Sequence, residues 1–379
     1  MRKYHISQII CVNSHWIMNL IFVIPNITSQ GGTERTTVLL ANHFVDMGYR
    51  VTIISFSRLP GLVQMYPVSS KVQVVFLSEQ NYTKEMGIWK RFRFLVTTIN
   101  KLSRFLKTST FDVIISQSLM ANVAILFSGF FKKSVACEHY MYNKYPMPIR
   151  LVRSIIYRCF RKVVVLTNHD AVKYRKHGIA AEVIPNMITF DLHENTGSNS
   201  KKIISVGRLM SQKGFDLLLP GMVPVFERHP DWHLFIYGEG VDHDALVILC
   251  DELSLQKNVT FSGFVKDIKS EYVSADFFVM SSRYEGFPMV LLEALSCGLP
   301  VVSFDCPTGP SEILQYGAGL LVENQSISQL SASILKMIED RELRNECAGK
   351  AHYTAQKYSP EIICRRWIDL FREFLLNEG

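Results

Sequence analysis

The sequence predicts an α/β protein made of two doubly wound, Rossmann-like parallel-sheet domains, and three observations predict it. Short apolar runs alternate with helical patterns from residue 18 onward, the sequence form of repeated βαβ units. The runs are hydrophobic nearly throughout, as in Phe277-Phe278-Val279-Met280, which suits strands buried on both faces. The scheme also occurs twice in a chain of 379 residues, a length sufficient for two domains of ordinary size.

Taken in order, the first half has expected strands at 18–25, 50–56, 72–77, 111–117, 133–138 and 162–167. Helical patterns occupy 33–48, 90–107, 118–130, 147–160 and 168–178. The second half has strands near 203–207, 233–238, 259–262, 276–281, 300–304 and 319–322, with helices near 213–229, 241–254, 266–274, 288–297 and 327–339. Between the halves, Pro185 and Asn186 favour a turn, and Thr196-Gly197-Ser198-Asn199-Ser200 reads as linker. The expected domains are therefore 18–185 and 186–358. Residues 359–379 form a C-terminal helix after Pro360, for which crossing back to the first domain is one course.

Residues 1–17 read as an extension outside the core. Their apolar runs are interrupted by Asn13, Ser14 and His15, so they are too short for a membrane span. The run that follows, from Ile17, flows into a glycine loop with no small-residue cleavage site, which argues against a secretory signal. Eight cysteines show no CxxC pair and no metal-ligand spacing. They are expected to be reduced thiols in a cytosolic protein.

The net charge of +7 conceals a division. Residues 1–185 carry 24 Lys+Arg and 8 Asp+Glu, or +16; the other 17 basic and 26 acidic residues give −9. The first half is therefore expected to meet something anionic. No zinc-finger spacing, RNP-type run or Arg-rich tail is present, which excludes the common nucleic-acid modules. An anionic membrane surface or a lipid-phosphate substrate fits better. Two stretches mix basic and large apolar residues, Ile88 to Lys107 and Ile149 to Arg158. Each reads either as a bilayer-surface helix or as an ordinary amphipathic helix on a core.

The densest chemistry lies in Glu285-Gly286-Phe287-Pro288-Met289-Val290-Leu291-Leu292-Glu293. Pro288 fits the first turn of a helix, so Glu285 sits on the loop and Glu293 about one turn inside. Both can reach a ligand at the helix N-terminus, a place suited to phosphate. In Gly207-Arg208-Leu209-Met210-Ser211-Gln212-Lys213-Gly214, two cations converge where the next helix begins, an arrangement suited to a diphosphate. Gly31-Gly32-Thr33-Glu34-Arg35 follows the first strand and lets backbone approach an anion closely. His139 ends a strand and reads either as facing an inter-domain cleft or as a structural histidine bonded to backbone. Asp242-His243-Asp244 opens a helix, where acids favour the dipole, and is not expected to hold a metal ion.

Together these motifs resemble the retaining glycosyltransferases of the GT-B fold, specifically glycosyltransferase family 4. The match runs in order through Gly31–Arg35, Glu138-His139, Ile184-Pro185-Asn186, Gly207–Gly214, Gly238-Glu239-Gly240, Gly263-Phe264-Val265, Glu285–Glu293 and Asp305–Ile313, covering nearly everything after Met18. The Cys306–Ile313 variant looks like members that assemble bacterial O-antigen, capsule or exopolysaccharide.

The resemblance implies two Rossmann-like domains facing across a cleft, the first binding acceptor and the second a nucleotide-sugar. Arg208 and Lys213 would neutralise the donor diphosphate. Glu285 would hold sugar hydroxyls, with Gly286, Phe287 and Met289 near the sugar and β-phosphate. Glu293 would bind the ribose, the base would rest near Phe264 and Val265, His139 would contact the sugar, and Gly32 would close over the diphosphate. No cofactor or metal ion is expected. The expected activity is transfer of a hexose or N-acetylhexosamine, from a donor expected to be UDP-linked, to a polyprenyl-diphosphate-linked or other lipid-linked glycan. It would take place on the inner face of the cytoplasmic membrane. The rival readings are a nucleotide-sugar epimerase of the same fold and a non-catalytic nucleotide-sugar-binding subunit.

Overall fold

The computed structural model describes residues 17–29, 31–58, 66–79, 87–193 and 199–376. Most of the expected N-terminal extension, and residues 196–198 of the expected linker, lie outside them. Two parallel sheets organise the chain, as expected. The seven-stranded sheet contains β1 (Asn19–Ile24), β2 (Arg50–Ser55), β3 (Gln73–Phe76), β4 (Val113–Ser116), β5 (Ser134–Cys137), β6 (Lys162–Val165) and β7 (Ala181–Val183), in the order β3-β2-β1-β4-β5-β6-β7. The six-stranded sheet contains β8 (Lys202–Val206), β9 (His233–Tyr237), β10 (Val259–Gly263), β11 (Phe277–Met280), β12 (Val301–Phe304) and β13 (Gly319–Val322), in the order β10-β9-β8-β11-β12-β13.

The fully buried strands lie in the interior of each sheet. Every residue of β4, β5, β11 and β12 is buried, because helices cover both faces of a doubly wound sheet. In the second sheet Ile203, Leu234, Phe277 and Val302 join one helix layer, including Leu218 and Met222. Ile204, Phe278 and Val301 join the other, with Leu291 and Leu295. The alternation follows from the two-residue period of a strand.

By its contacts the chain separates into two compact units. One comprises Met1–Cys137, Ile156–Lys162 and Phe371–Gly379, the other Glu138–Ile155 and Val163–Leu370. Residues 138–155 and 163–185 thus group with the chain beyond 186. The last helix, Pro360–Leu376, contributes to both units, and its Phe371 ring lies 5.8 Å from Phe44 in the first.

Three elements go beyond the sequence expectation: β7, the short helix Pro310–Leu314 and the helix Arg341–Gln356. The helix expected from residue 213 starts at Phe215, after a 3-10 turn over Ser211–Lys213. Gly214 separates them in a left-handed conformation, φ +66°. Pro288 is the residue before the helix Met289–Ser296 rather than part of its first turn.

Candidate functional site

In a doubly wound sheet, ligands gather at the carboxyl ends of the strands where the order reverses. In the second sheet that point lies between β8 and β11, the strands followed by Gly207–Gly214 and Ser281–Pro288. The two loops are tied together by several bonds. The Arg283 N–H donates to the Gln212 carbonyl (2.8 Å), the Ser281 hydroxyl to the Lys213 carbonyl (3.0 Å) and the Gln212 amide to the Tyr284 carbonyl (3.0 Å). Arg283 also donates from Nη1 to the Ser211 carbonyl (2.7 Å) and grips Asp216 with both Nη atoms at 2.7 Å. That pair holds the Asp216 carboxyl below its ordinary range.

These bonds bring Lys213 and Glu285 together. Lys213 Nζ lies 2.7 Å from Glu285 Oε1, with side-chain exposures of 16% and 8%, so the pair is largely withdrawn from water. The lysine stem runs over Gly207, where a Cβ would come within 3.2 Å of its Cγ and Cδ. At Gly214 a Cβ would collide with the Ser281 carbonyl oxygen, so glycine here allows both the turn and the close approach. Burial pushes the Cys306 thiol up to about 12, with Glu285 adding to the effect, which disfavours the thiolate. Arg208 is exposed at the end of β8 and makes no ion pair among the described residues.

Glu293 is turned inward, 3% exposed, and accepts from the Tyr272 hydroxyl (3.2 Å) and the Thr189 hydroxyl (3.4 Å). Phe264 stands 61% exposed just beyond β10, an open aromatic face, while Val265 packs on the core. Phe287 is buried, its ring 5.8 Å from that of Tyr358, so only its backbone is available to a ligand. Met289 is half-buried at the start of its helix. Gly31 and Gly32 stand at the N-terminus of the helix Gly32–Asp46 in the first unit. Asp242 and Asp244 lie at the start of the helix His243–Glu252.

His139 lies in the same compact unit as Glu285, and its carbonyl faces Gly286, where a Cβ would collide with it. Lys144 Nζ lies 5.3 Å from the centre of the Tyr284 ring, a second contact between these loops. Desolvation lowers the half-buried His139 imidazole from 6.5 to about 4, so the ring is neutral at neutral pH. Gly286→Ala is expected to displace the 139 and 286 backbones and lower turnover about 100-fold, since a shift of about 1 Å at a reacting centre has that effect. Steady-state kinetics on a protein with intact near-UV circular dichroism checks it.

Other residues that shape the site carried no assigned role in the sequence reading. The Thr308 hydroxyl donates to the Glu285 carbonyl, and Thr308 is held at φ +70°, a strained conformation for a β-branched residue. Glu312 accepts from the backbone N–H groups of Asn168 (2.9 Å) and His169 (3.0 Å), at the start of the helix Asn168–Lys176. These contacts join residues far apart in sequence, so no local spacing signals them.

Residues 30–192 match the family model described as Glycosyltransferase Family 4, and residues 190–353 match Glycosyl transferases group 1. The amylovoran biosynthesis glycosyltransferase AmsD of Erwinia amylovora is 30% identical over 367 residues, spanning 93% of this chain and 99% of that protein. An N-acetylgalactosamine-N,N'-diacetylbacillosaminyl-diphospho-undecaprenol 4-alpha-N-acetylgalactosaminyltransferase of Campylobacter jejuni is 34% identical over 173 residues, 45% of this chain and 47% of that one. Among solved structures, sucrose-phosphate synthase from Thermosynechococcus elongatus superposes with a TM-score of 0.80 at 17% identity, covering 95% of this chain and 100% of that one. Anabaena HepE in complex with UDP and glucose superposes at 0.74 and 19% identity, covering 94% and 99%. At such identities the structural likeness establishes the fold, which is GT-B.

Proposed function

This chain belongs to glycosyltransferase family 4, group 1, and from that premise we propose that it transfers a hexose or N-acetylhexosamine from a UDP-sugar, with retention, to a lipid-linked glycan. The observation that carries the reading is the Lys213–Glu285 pair at the switch point of the second sheet, 2.7 Å apart. A donor exchanges partners with it. The diphosphate takes Lys213 and draws in Arg208, while Glu285 accepts hydrogen bonds from the sugar hydroxyls. Glu293 is the candidate for the ribose and Phe264 for the base. Supporting this are a relative named for amylovoran biosynthesis, a partial relative named for an undecaprenol-linked acceptor, and similar structures solved with UDP.

The chemistry follows from the charges. As the anomeric C–O bond breaks, its electron pair goes to the diphosphate and the sugar acquires oxocarbenium character. The cations Lys213 and Arg208 stabilise the leaving group, as oxyanion donors do, with no demand for a metal ion. A neutral His139 suits the other side of the bond, because an imidazolium would repel the developing cation. The acceptor hydroxyl attacks the face the leaving group vacates and passes its proton to the departing phosphate oxygen. Incubation with UDP-, GDP- and dTDP-sugars and a polyprenyl-diphosphate-linked glycan tests the reading. The expected product is an acceptor extended by one sugar with its anomeric configuration kept, from the UDP donor. Conversion of the donor sugar with no acceptor present would sink it in favour of an epimerase, and binding without transfer in favour of a non-catalytic subunit.

The acceptor's lipid brings in the membrane. No helix among the described residues is long and apolar enough to cross one. The helix Ile88–Thr108 buries Phe94, Thr98, Leu102 and Leu106 but leaves Ile88, Trp89, Phe92 and Val96 exposed, among Lys90, Arg91 and Arg93. This mixture suits an anionic interface at the inner face of the cytoplasmic membrane. The helix Met147–Arg158 likewise exposes Ile149, Leu151, Val152 and Ile155. Flotation with anionic vesicles is expected at low salt, weakened by high salt and by Trp89→Glu with Phe92→Glu. Equal flotation of that double variant would contradict the role of this helix.

A further inference from the structure

We infer that Arg153 is a positioning residue for His139, an inference that rests on the reading of His139 as the group beside the donor sugar. Arg153 is fully buried, as is the carboxylate it meets: Nη1 lies 3.2 Å from Glu138 Oε2, with both side chains at 0% exposure. A buried ion pair is costly to assemble and contributes little net stability. Its value here lies in what it holds.

The backbone on both sides of the imidazole is fixed through this one guanidinium. Glu138 lies immediately before His139, and its Oε1 accepts from the Tyr140 N–H (3.1 Å), immediately after it. Arg153 Nη2 donates to the Tyr142 carbonyl (2.6 Å), while the Tyr142 N–H donates to Asp170 Oδ1 (3.1 Å). The Glu138 N–H is anchored on the Val164 carbonyl (2.9 Å). Residues 138, 140 and 142 are thus all fixed, with His139 between them and its carbonyl against Gly286. The rings of Tyr142, Tyr145 and Tyr174 surround the guanidinium at 5.0, 5.3 and 5.2 Å, so its charge is spread over faces that tolerate it. Only a planar fork reaches Glu138 and the Tyr142 carbonyl together, and a lysine ammonium is a single point of charge.

Arg153→Lys and Glu138→Gln test this. For Arg153→Lys we expect kcat to fall about 10- to 100-fold while the affinity for UDP, measured calorimetrically, is unchanged. Adding Arg153→Lys to His139→Ala is expected to cost nothing further, as for residues that act as a unit. By NMR, the His139 imidazole is expected to titrate above its value of about 4 and toward 6.5 in either variant. Additive losses, or wild-type turnover with an undisplaced titration in a protein that binds UDP, would overturn the inference. Loss of UDP binding in both variants would also overturn it, marking the pair as a folding element. If His139→Ala alone leaves turnover intact, the reading of the chemistry fails, and the titration in Arg153→Lys still decides the positioning.

Discussion

Lys213→Ala is expected to lower kcat by about 10²–10³-fold, the loss typical of removing one donor to a developing oxyanion. The substitution acts twice. It withdraws the cation proposed to meet the leaving diphosphate, and it strands Glu285, which is 8% exposed at its side chain, as a buried charge without its partner. Breaking such a pair costs about 3 kcal/mol of stability or more, so a rate measured alone would confound the two effects. The double variant Lys213→Ala with Glu285→Gln separates them. It is expected to recover most of the melting temperature, because no stranded charge remains, and none of the turnover. Turnover near wild type in folded Lys213→Ala would remove the diphosphate from this site.

Glu285→Gln alone is expected to move two quantities in opposite directions. With the carboxylate gone, only a neutral amide oxygen is left to hold the Lys213 ammonium, now 2.7 Å from Glu285 Oε1, and a phosphate need not displace an internal anion to reach it. Affinity for UDP is therefore expected to rise about tenfold, or 1.4 kcal/mol. Transfer is expected to fall about 10²-fold, since glutamine is a weaker acceptor for the sugar hydroxyls in the transition state. Calorimetry with UDP and initial rates with the full donor read the two effects separately. Weaker UDP binding in this variant would mean that the ion pair does not restrain the lysine.

Most strands were legible because each is a short, nearly unbroken apolar run, and several interior ones are buried on both sides. The helix Arg341–Gln356 was not, for a definite reason. Its inward stripe is Arg344, Cys347, Ala351, Thr354 and Ala355, residues too small or too polar to mark an amphipathic period. β7 and the helix Pro310–Leu314, at three and five residues, are shorter than any periodicity can register. In the site, the motifs named Lys213 and Glu285 as members of one constellation, and the structure joins them. That they pair with each other in the unliganded chain follows from the bonds of Arg283, Ser281 and Gln212, which no spacing encodes. The buried Arg153 belongs to a stretch that the sequence leaves open between a bilayer-surface helix and an amphipathic helix on a core. Leu151, Val152 and Ile155 point outward, and only the fold shows that Arg153 points in.

The C-terminal helix has a practical corollary for anyone trimming or tagging the chain. Cutting before Phe371 would leave the unit that holds Lys213 and Glu285 whole by its own contacts, yet it would strip the other unit of the aromatic ring that abuts Phe44 and of the carbonyl of Phe374 that receives Arg161. Such a shortened protein is expected to keep the proposed affinity for UDP while the unit that contains Phe44 and Arg161 loosens and becomes open to proteases.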